Sequence, residues 1–251
     1  MKKITDKRKS ELIAEVERVA DNFRRDHINI SSAPIPNSFK TAEELGFFVV
    51  SATAPDELSG FTTTIGDKSM IVVNSRHPLG RQNYSIWHEV YHWYSKDGID
   101  ISMLGDYEYS ETEFKAEVFA SEILLEKNAL QRELKKMNYG SVTDNNIRYL
   151  KKEDIVKLQN IFKVSYKAVL TRIIALSGHR ELRNRYGIAS NQEKIIEFNK
   201  KCGYKGELEA PSEKPYISDS LFEYLTSNLE KGRISHSNVD RLLNFIEEDI
   251  Y

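Results

Sequence analysis

The stretch Trp87-His88-Glu89-Val90-Tyr91-His92 constrains this chain more tightly than any other part of its 251 residues. Its apolar spacing predicts a helix over residues 82–95. On a helix, two histidines four apart lie about 40° apart in projection and roughly 6 Å apart along the axis. Both imidazoles can therefore converge on one ion, at metal–nitrogen distances of about 2.0–2.1 Å. Glu89 points to the open side of such an ion, where it can take a proton from water instead of binding the metal. The plainer alternative is an amphipathic helix that happens to carry two histidines. Trp87, Tyr91 and Trp93 argue against it, because they surround the pair with large side chains. A buried polar pair without a partner costs several kcal/mol, and a metal removes that cost.

A zinc site of this kind needs a third protein ligand and keeps its fourth position for water. Ser95 and Gly98 stand where a metzincin would need Gly and His, so that class is excluded. The third ligand must come from another segment. A second helix, predicted over residues 112–127, can lie antiparallel to the first. Its apolar stripe is Ala116, Phe119, Ala120, Ile123 and Leu124, and one turn back the same face carries Glu113. A carboxylate on an inward face needs a reason, and coordination supplies one. The candidates rank as Glu113, then Glu117, then Glu111 or Glu108.

Elsewhere the pattern is α+β. Residues 47–51, 60–65 and 69–73 read as strands, the last two forming a hairpin around Gly66-Asp67-Lys68. Helices are expected over residues 7–25 and 41–45, then over 153–162, 165–176, 218–230 and 235–249. The expected fold is a small antiparallel sheet packed by helices that carry the zinc site, followed by an all-helical C-terminal part. Three units are expected: a metallopeptidase-like core over 1–130, a helical segment with a helix-turn-helix-like pair over 131–202, and a helical tail over 203–251.

Composition narrows the function. Thirty-six Lys and Arg against 38 Asp and Glu give a net charge of −2, so no global positive field exists to hold nucleic acid. The single cysteine, Cys202, excludes an intrachain disulfide and a thiolate metal cluster, and no histidine near it in sequence could serve as its base. Without a secretory signal or a run of roughly 18 apolar residues, the expected location is the cytoplasm. His27, His77, His179 and His236 are read as surface or capping residues, not ligands. Tyr84 and Tyr91 are candidates to donate to a developing oxyanion, with packing as the default. Lys163, Lys167 and Arg172 give the pair over 153–176 the proportions of a DNA-reading motif, although packing suits it better.

The order Leu58-Ser59-Gly60, Ile71-Val72-Val73-Asn74, Arg81, His88-Glu89-x-x-His92 and Glu113-x-x-Ala116-x-x-Phe119-Ala120 resembles the ImmA/IrrE family of metallopeptidases over residues 7–176. That resemblance implies Zn²⁺ held by His88, His92 and Glu113, with Glu89 as the catalytic base. It also implies a protein substrate, a helix-turn-helix transcriptional repressor whose cleavage derepresses an operon, often on a mobile element. Two positions depart from the family pattern. Tyr91 stands where Gly is common, and Glu117 stands where Asn is common, so Glu117 offers an outer partner or an alternative ligand. Two other functions compete: a metal-binding regulator without protease activity, and DNA binding through the 153–176 helices. The intact Glu89 speaks against the first, since a structural site has no need of a base.

Overall fold

The computed structural model describes residues 4–28, 33–95, 102–103, 111–186, 191–212 and 215–247. The chain opens with α1 (Asp6–Phe23), whose cap Thr5 accepts a hydrogen bond from the Arg8 amide, and α2 (Ser38–Glu44), capped in the same way by Asn37. Three strands follow, β1 (Phe48–Ala52), β2 (Leu58–Ile65) and β3 (Lys68–Asn74), then the long helix α3 (Leu79–Ser95). The two-residue strand β4 (Ser102–Met103) and the helix α4 (Glu111–Leu124) complete the first part. Beyond them come α5 (Lys127–Lys136), α6 (Lys152–Phe162), α7 (Tyr166–Ser177), α8 (Glu181–Tyr186) and α9 (Gln192–Lys201). The strand β5 (Tyr216–Ile217) and the helices α10 (Asp219–Glu230) and α11 (His236–Glu247) close the described chain.

The α+β architecture is as expected, but the sheet is mixed and not wholly antiparallel. Its order is β4-β2-β3-β1-β5, with β1 parallel to β3 in the register Val49↔Ile71 and Ser51↔Val73. Burial explains the order. Met70, Ile71, Val72 and Val73 of β3 are all buried, so this strand takes a central place with a neighbour on each side. The threonine run Thr62-Thr63-Thr64 suits β2 to a position nearer the edge. The β2–β3 hairpin therefore swings β3 next to β1.

Both faces of the sheet are covered around β1 and β3, which is why these two strands read as near-continuous apolar runs. Val49, Ile71 and Val73 face Ile86, Trp87 and Val90 of α3 in the main core, shared with α1, α4, α6 and α7. Phe48, Val50, Met70 and Val72 face the other way, onto Leu221, Leu225 and Ile246 of the C-terminal helices. The alternation of odd and even positions is the period of two of a pleated strand.

Two devices fix α3, the helix that matters for function. Gln82, fully buried, donates through Nε2 to the carbonyls of Ser75 and His77 (3.2 and 2.7 Å) and accepts from Ser51 Oγ (2.9 Å), tying the helix to the sheet. Gly80 lies against the turn between α6 and α7. A Cβ there would come within 2.6 Å of the Ser165 nitrogen and 2.9 Å of the Leu208 oxygen, so only glycine allows this approach.

Candidate metal centre

The side chains of His88 and His92 project from one stripe of α3, and that of Glu113 from the first turn of α4 packed across it. His88 Nε2 and His92 Nε2 are 3.1 Å apart. Glu113 Oε2 is 3.2 Å from His88 Nε2, and Glu113 Oε1 is 3.2 Å from His92 Nε2. Around a tetrahedral ion with bonds of about 2.0–2.1 Å, neighbouring donor atoms lie about 3.3 Å apart. The two imidazole nitrogens therefore have the spacing of neighbouring ligands, and the carboxylate turns one oxygen toward each of them at a similar distance. Among the described residues these three form the group able to hold a metal ion. The two imidazoles hold the Glu113 carboxyl well below the usual carboxylate range, His88 more than His92 and both against the effect of burial.

Packing sets this geometry. Trp87 is fully buried and donates from Nε1 to Ser38 Oγ (3.0 Å), and Tyr91 packs on Phe119 of α4 with ring centroids 5.3 Å apart. These two residues turn the intervening stripe, with His88 and His92, toward α4. Trp93 departs from the expected burial: it is 43% exposed, with its ring edge against Phe47. Ala116, Phe119, Ala120, Ile123 and Leu124 are buried as the stripe predicted.

Glu89 lies one residue past the first donor and is 1% exposed. The Thr62 hydroxyl on β2 donates to Glu89 Oε2 (3.2 Å). Gly60 adjoins the same side chain, since a Cβ there would sit 3.6 Å from Glu89 Cγ. Neither residue carries a sequence signal for this role. A polar strand residue near an edge reads as solvated until the helix beneath it is placed.

The geometry and the sequence family agree. A model of the IrrE N-terminal-like domain, Peptidase_M78, matches residues 42–173, more than half of the chain. The chain belongs to the ImmA/IrrE metallopeptidase family. No curated protein matches it significantly.

The remaining candidates of this ImmA/IrrE protein sort by position. Glu111 is engaged by Arg8, whose Nε and Nη2 donate to its two carboxylate oxygens at 2.7 and 2.6 Å. Glu117 is exposed and outside the metal-capable group; its carbonyl accepts the Tyr84 hydroxyl. Glu108 lies outside the described residues. His27 and His236 are exposed, and His179 pairs with Glu181 at 2.8 Å. His77 differs from the surface position expected for it. It is buried, and its Nε2 donates to the Asp56 carbonyl (2.9 Å), pinning the loop before β2. Burial pushes the Cys202 thiol upward, away from thiolate chemistry. In the 153–176 pair, Lys167 is exposed and Lys163 takes the left-handed cap of α6. Arg172 is buried, bonded to Glu122 and to the Leu125 carbonyl. It is therefore a packing residue and not a groove-facing one.

Proposed function

We propose that this protein is a zinc-dependent endopeptidase that cleaves a helix-turn-helix transcriptional repressor and so derepresses the operon it controls. The observation that carries the reading is the convergence of His88, His92 and Glu113 beside a buried Glu89. His88, His92 and Glu113 would hold the ion, and the imidazole–carboxylate set suits zinc. When bound there, the ion supplies Lewis acidity, acidifying water and polarising a peptide carbonyl.

The chain's own residues do the rest. Glu89 accepts a proton from the attacking water as the new C–O bond forms. It then gives that proton to the amine nitrogen as the C–N bond breaks, so the carboxylate is regenerated. Thr62 holds the carboxylate at Oε2 during the exchange. The Tyr84 hydroxyl is committed to a backbone carbonyl, which favours its packing role over an oxyanion role.

The substrate class, the regulatory setting, the association with a mobile element and a cytoplasmic location rest on the family resemblance. Among the described residues no helix is long and apolar enough to cross a membrane. A protein partner is favoured over nucleic acid by the net charge of −2 and by the buried Arg172. The test is incubation of zinc-loaded protein with any helix-turn-helix repressor encoded beside its gene. Wild type is expected to deplete the intact repressor and Glu89→Gln to spare it. Equal loss with both, or loss with neither, overturns the reading.

A further inference from the structure

Arg81 lies on the same stripe of α3 as the two histidines, seven residues before His88 and eleven before His92, or about two and three helical turns. Its guanidinium is half-buried. Among the described residues its one hydrogen-bond partner is the Ser59 hydroxyl, which accepts from Nη2 at 3.2 Å, and it has no carboxylate partner. Burial lowers its pKa, and no acidic neighbour raises it again. Arg8 and Arg172 differ, forking onto Glu111 and meeting Glu122, and the buried Arg24 is held by two backbone carbonyls. A cation drawn out of water without an opposite charge is costly, and arginine in that state is a ready partner for a planar carboxylate, which its fork can grip with two parallel hydrogen bonds.

Two contacts on neighbouring strand residues place this cation beside the metal centre. Ser59 touches Arg81, and the next residue, Gly60, adjoins Glu89. The Arg81 guanidinium and the Glu89 side chain thus meet consecutive residues of β2, which ties Arg81 to the strand that borders the metal centre. The strand is shaped for this. The β2–β4 pairing slips between Leu58 and Gly60, which face Met103 and Ser102, leaving Ser59 as the extra residue of a bulge. Bulges re-aim side chains, and here the Ser59 hydroxyl turns toward α3 while Gly60 and Thr62 also face it.

We infer that Arg81, held by Ser59, is a specificity residue that binds a carboxylate of the polypeptide substrate, an acidic side chain close to the scissile bond. This rests on the peptidase reading above, in that it places the carboxylate on a peptide lying along β2.

The experiment measures binding by fluorescence anisotropy at low salt, using zinc-loaded Glu89→Gln protein so that nothing is consumed. Three pools of labelled eight-residue peptides serve as probes. The first has Asp or Glu at one internal position and an amidated C-terminus. The second has Asn or Gln there, and the third is the second with a free C-terminal carboxylate. The acidic pool is expected to bind about tenfold tighter than its amide counterpart, and Arg81→Gln in the same background is expected to erase the difference. Preference for the third pool, erased by the same change, would keep the carboxylate site and assign it to the substrate C-terminus. Equal binding of all pools, binding of none, or a preference that survives Arg81→Gln overturns the inference. Should Arg81→Gln fail to fold by circular dichroism, Ser59→Ala decides. It is expected to reduce the acid preference several-fold, and an unchanged preference overturns the inference. Failure of the peptidase reading looks different: Arg81-dependent acid binding persists, while wild type cleaves neither the pools nor the repressor.

Discussion

The Thr62 hydroxyl donates to Oε2 of Glu89 at 3.2 Å, so the proposed base on α3 is oriented by a side chain from β2. The sheet thus contributes directly to the site. It supplies the donor at Thr62, and Gly60 of the same strand adjoins the Glu89 side chain. A carboxylate that accepts a proton from one atom and delivers it to another must keep its orientation through both events. A hydroxyl on one oxygen provides that orientation without competing for the metal.

Thr62→Val keeps the shape of the side chain and removes the donor. A hydrogen bond to a charged group contributes about 1.5–3 kcal/mol, so peptidase turnover is expected to fall roughly 10- to 100-fold with little change in KM. Thr62→Ser restores the hydroxyl and is expected to recover most of the rate. Steady-state kinetics on the three proteins checks this, with zinc content measured beside them. A loss of turnover in Thr62→Ser equal to that in Thr62→Val would remove the orienting role.

Metal binding is expected to stabilise the fold. Zinc in free excess at 100 times its Kd adds about 2.7 kcal/mol if the unfolded chain does not compete. For a chain of this size that is a rise in Tm of roughly 5–10 °C. His92→Ala and Glu113→Gln each remove one of the three donors and are expected to lose most of that rise. Glu117→Gln is expected to keep it, because Glu117 lies outside the converging group. Thermal melts with added zinc and with chelator, paired with elemental analysis, distinguish these outcomes.

The parts of this arrangement that were legible in the sequence are those encoded within one helical turn. His88, Glu89 and His92 announce themselves because their spacing matches the period of the helix that carries them. Glu113 is readable only indirectly, as an acid at the head of an apolar stripe. Strand order is not readable, because it depends on which strand can be buried on both faces, and that is known only once α3 and the C-terminal helices are in place. The helix α5 is not expected from the sequence beyond its first residue, which ends the helix predicted over residues 112–127. Its cap is Glu126, whose two oxygens accept from the Asn128 and Ala129 amides at 2.7 Å, an unusual residue for that role. The helix α9 is short, with its apolar positions confined to Ile195, Ile196 and Phe198, and β5, two residues long, has no period to read. Thr62 and Arg81 take their meaning from residues on another element.

Glu209 predicts a pH dependence. It is buried at the N-terminus of α7, where Oε1 accepts from the Tyr166 amide (2.6 Å) and Gln159 Nε2 (2.7 Å). Burial nonetheless pushes its carboxyl above the usual value, outweighing both donors. Below about pH 4 the folded and unfolded chains both hold the proton. As pH rises past that point the unfolded chain releases its proton first, so the folded state binds more protons and stability falls until the folded pKa is passed. Glu209→Gln keeps an acceptor oxygen and does not titrate. Its stability relative to wild type is expected to improve as pH rises from below 4 toward neutrality, read from urea midpoints at several pH values. A gap between the two proteins that stays constant with pH would contradict this.

The buried pair of Glu122 and Arg172 joins α4 to α7, with each side chain more than nine-tenths buried. Arg172 Nε also donates to the Leu125 carbonyl at 3.2 Å. Burial pushes the Glu122 carboxyl upward and the arginine pulls it back, so the pair offsets a desolvation cost that it creates itself. Its energetics should therefore be strongly non-additive. Arg172→Met alone strands a buried carboxylate and is expected to cost about 3–5 kcal/mol, and Glu122→Leu alone strands the guanidinium at similar cost. The double variant removes both charges and leaves only the Leu125 carbonyl short of a donor, a loss of about 1–3 kcal/mol. Hydrophobic packing in place of the pair returns a similar amount, so the double variant is expected to be close to wild type in chemical denaturation. A double-variant loss equal to the sum of the two single losses would instead mean that each residue stabilises the fold through separate neighbours. It would also mean that the attachment of α7 to the metal-bearing half depends on packing and not on charge.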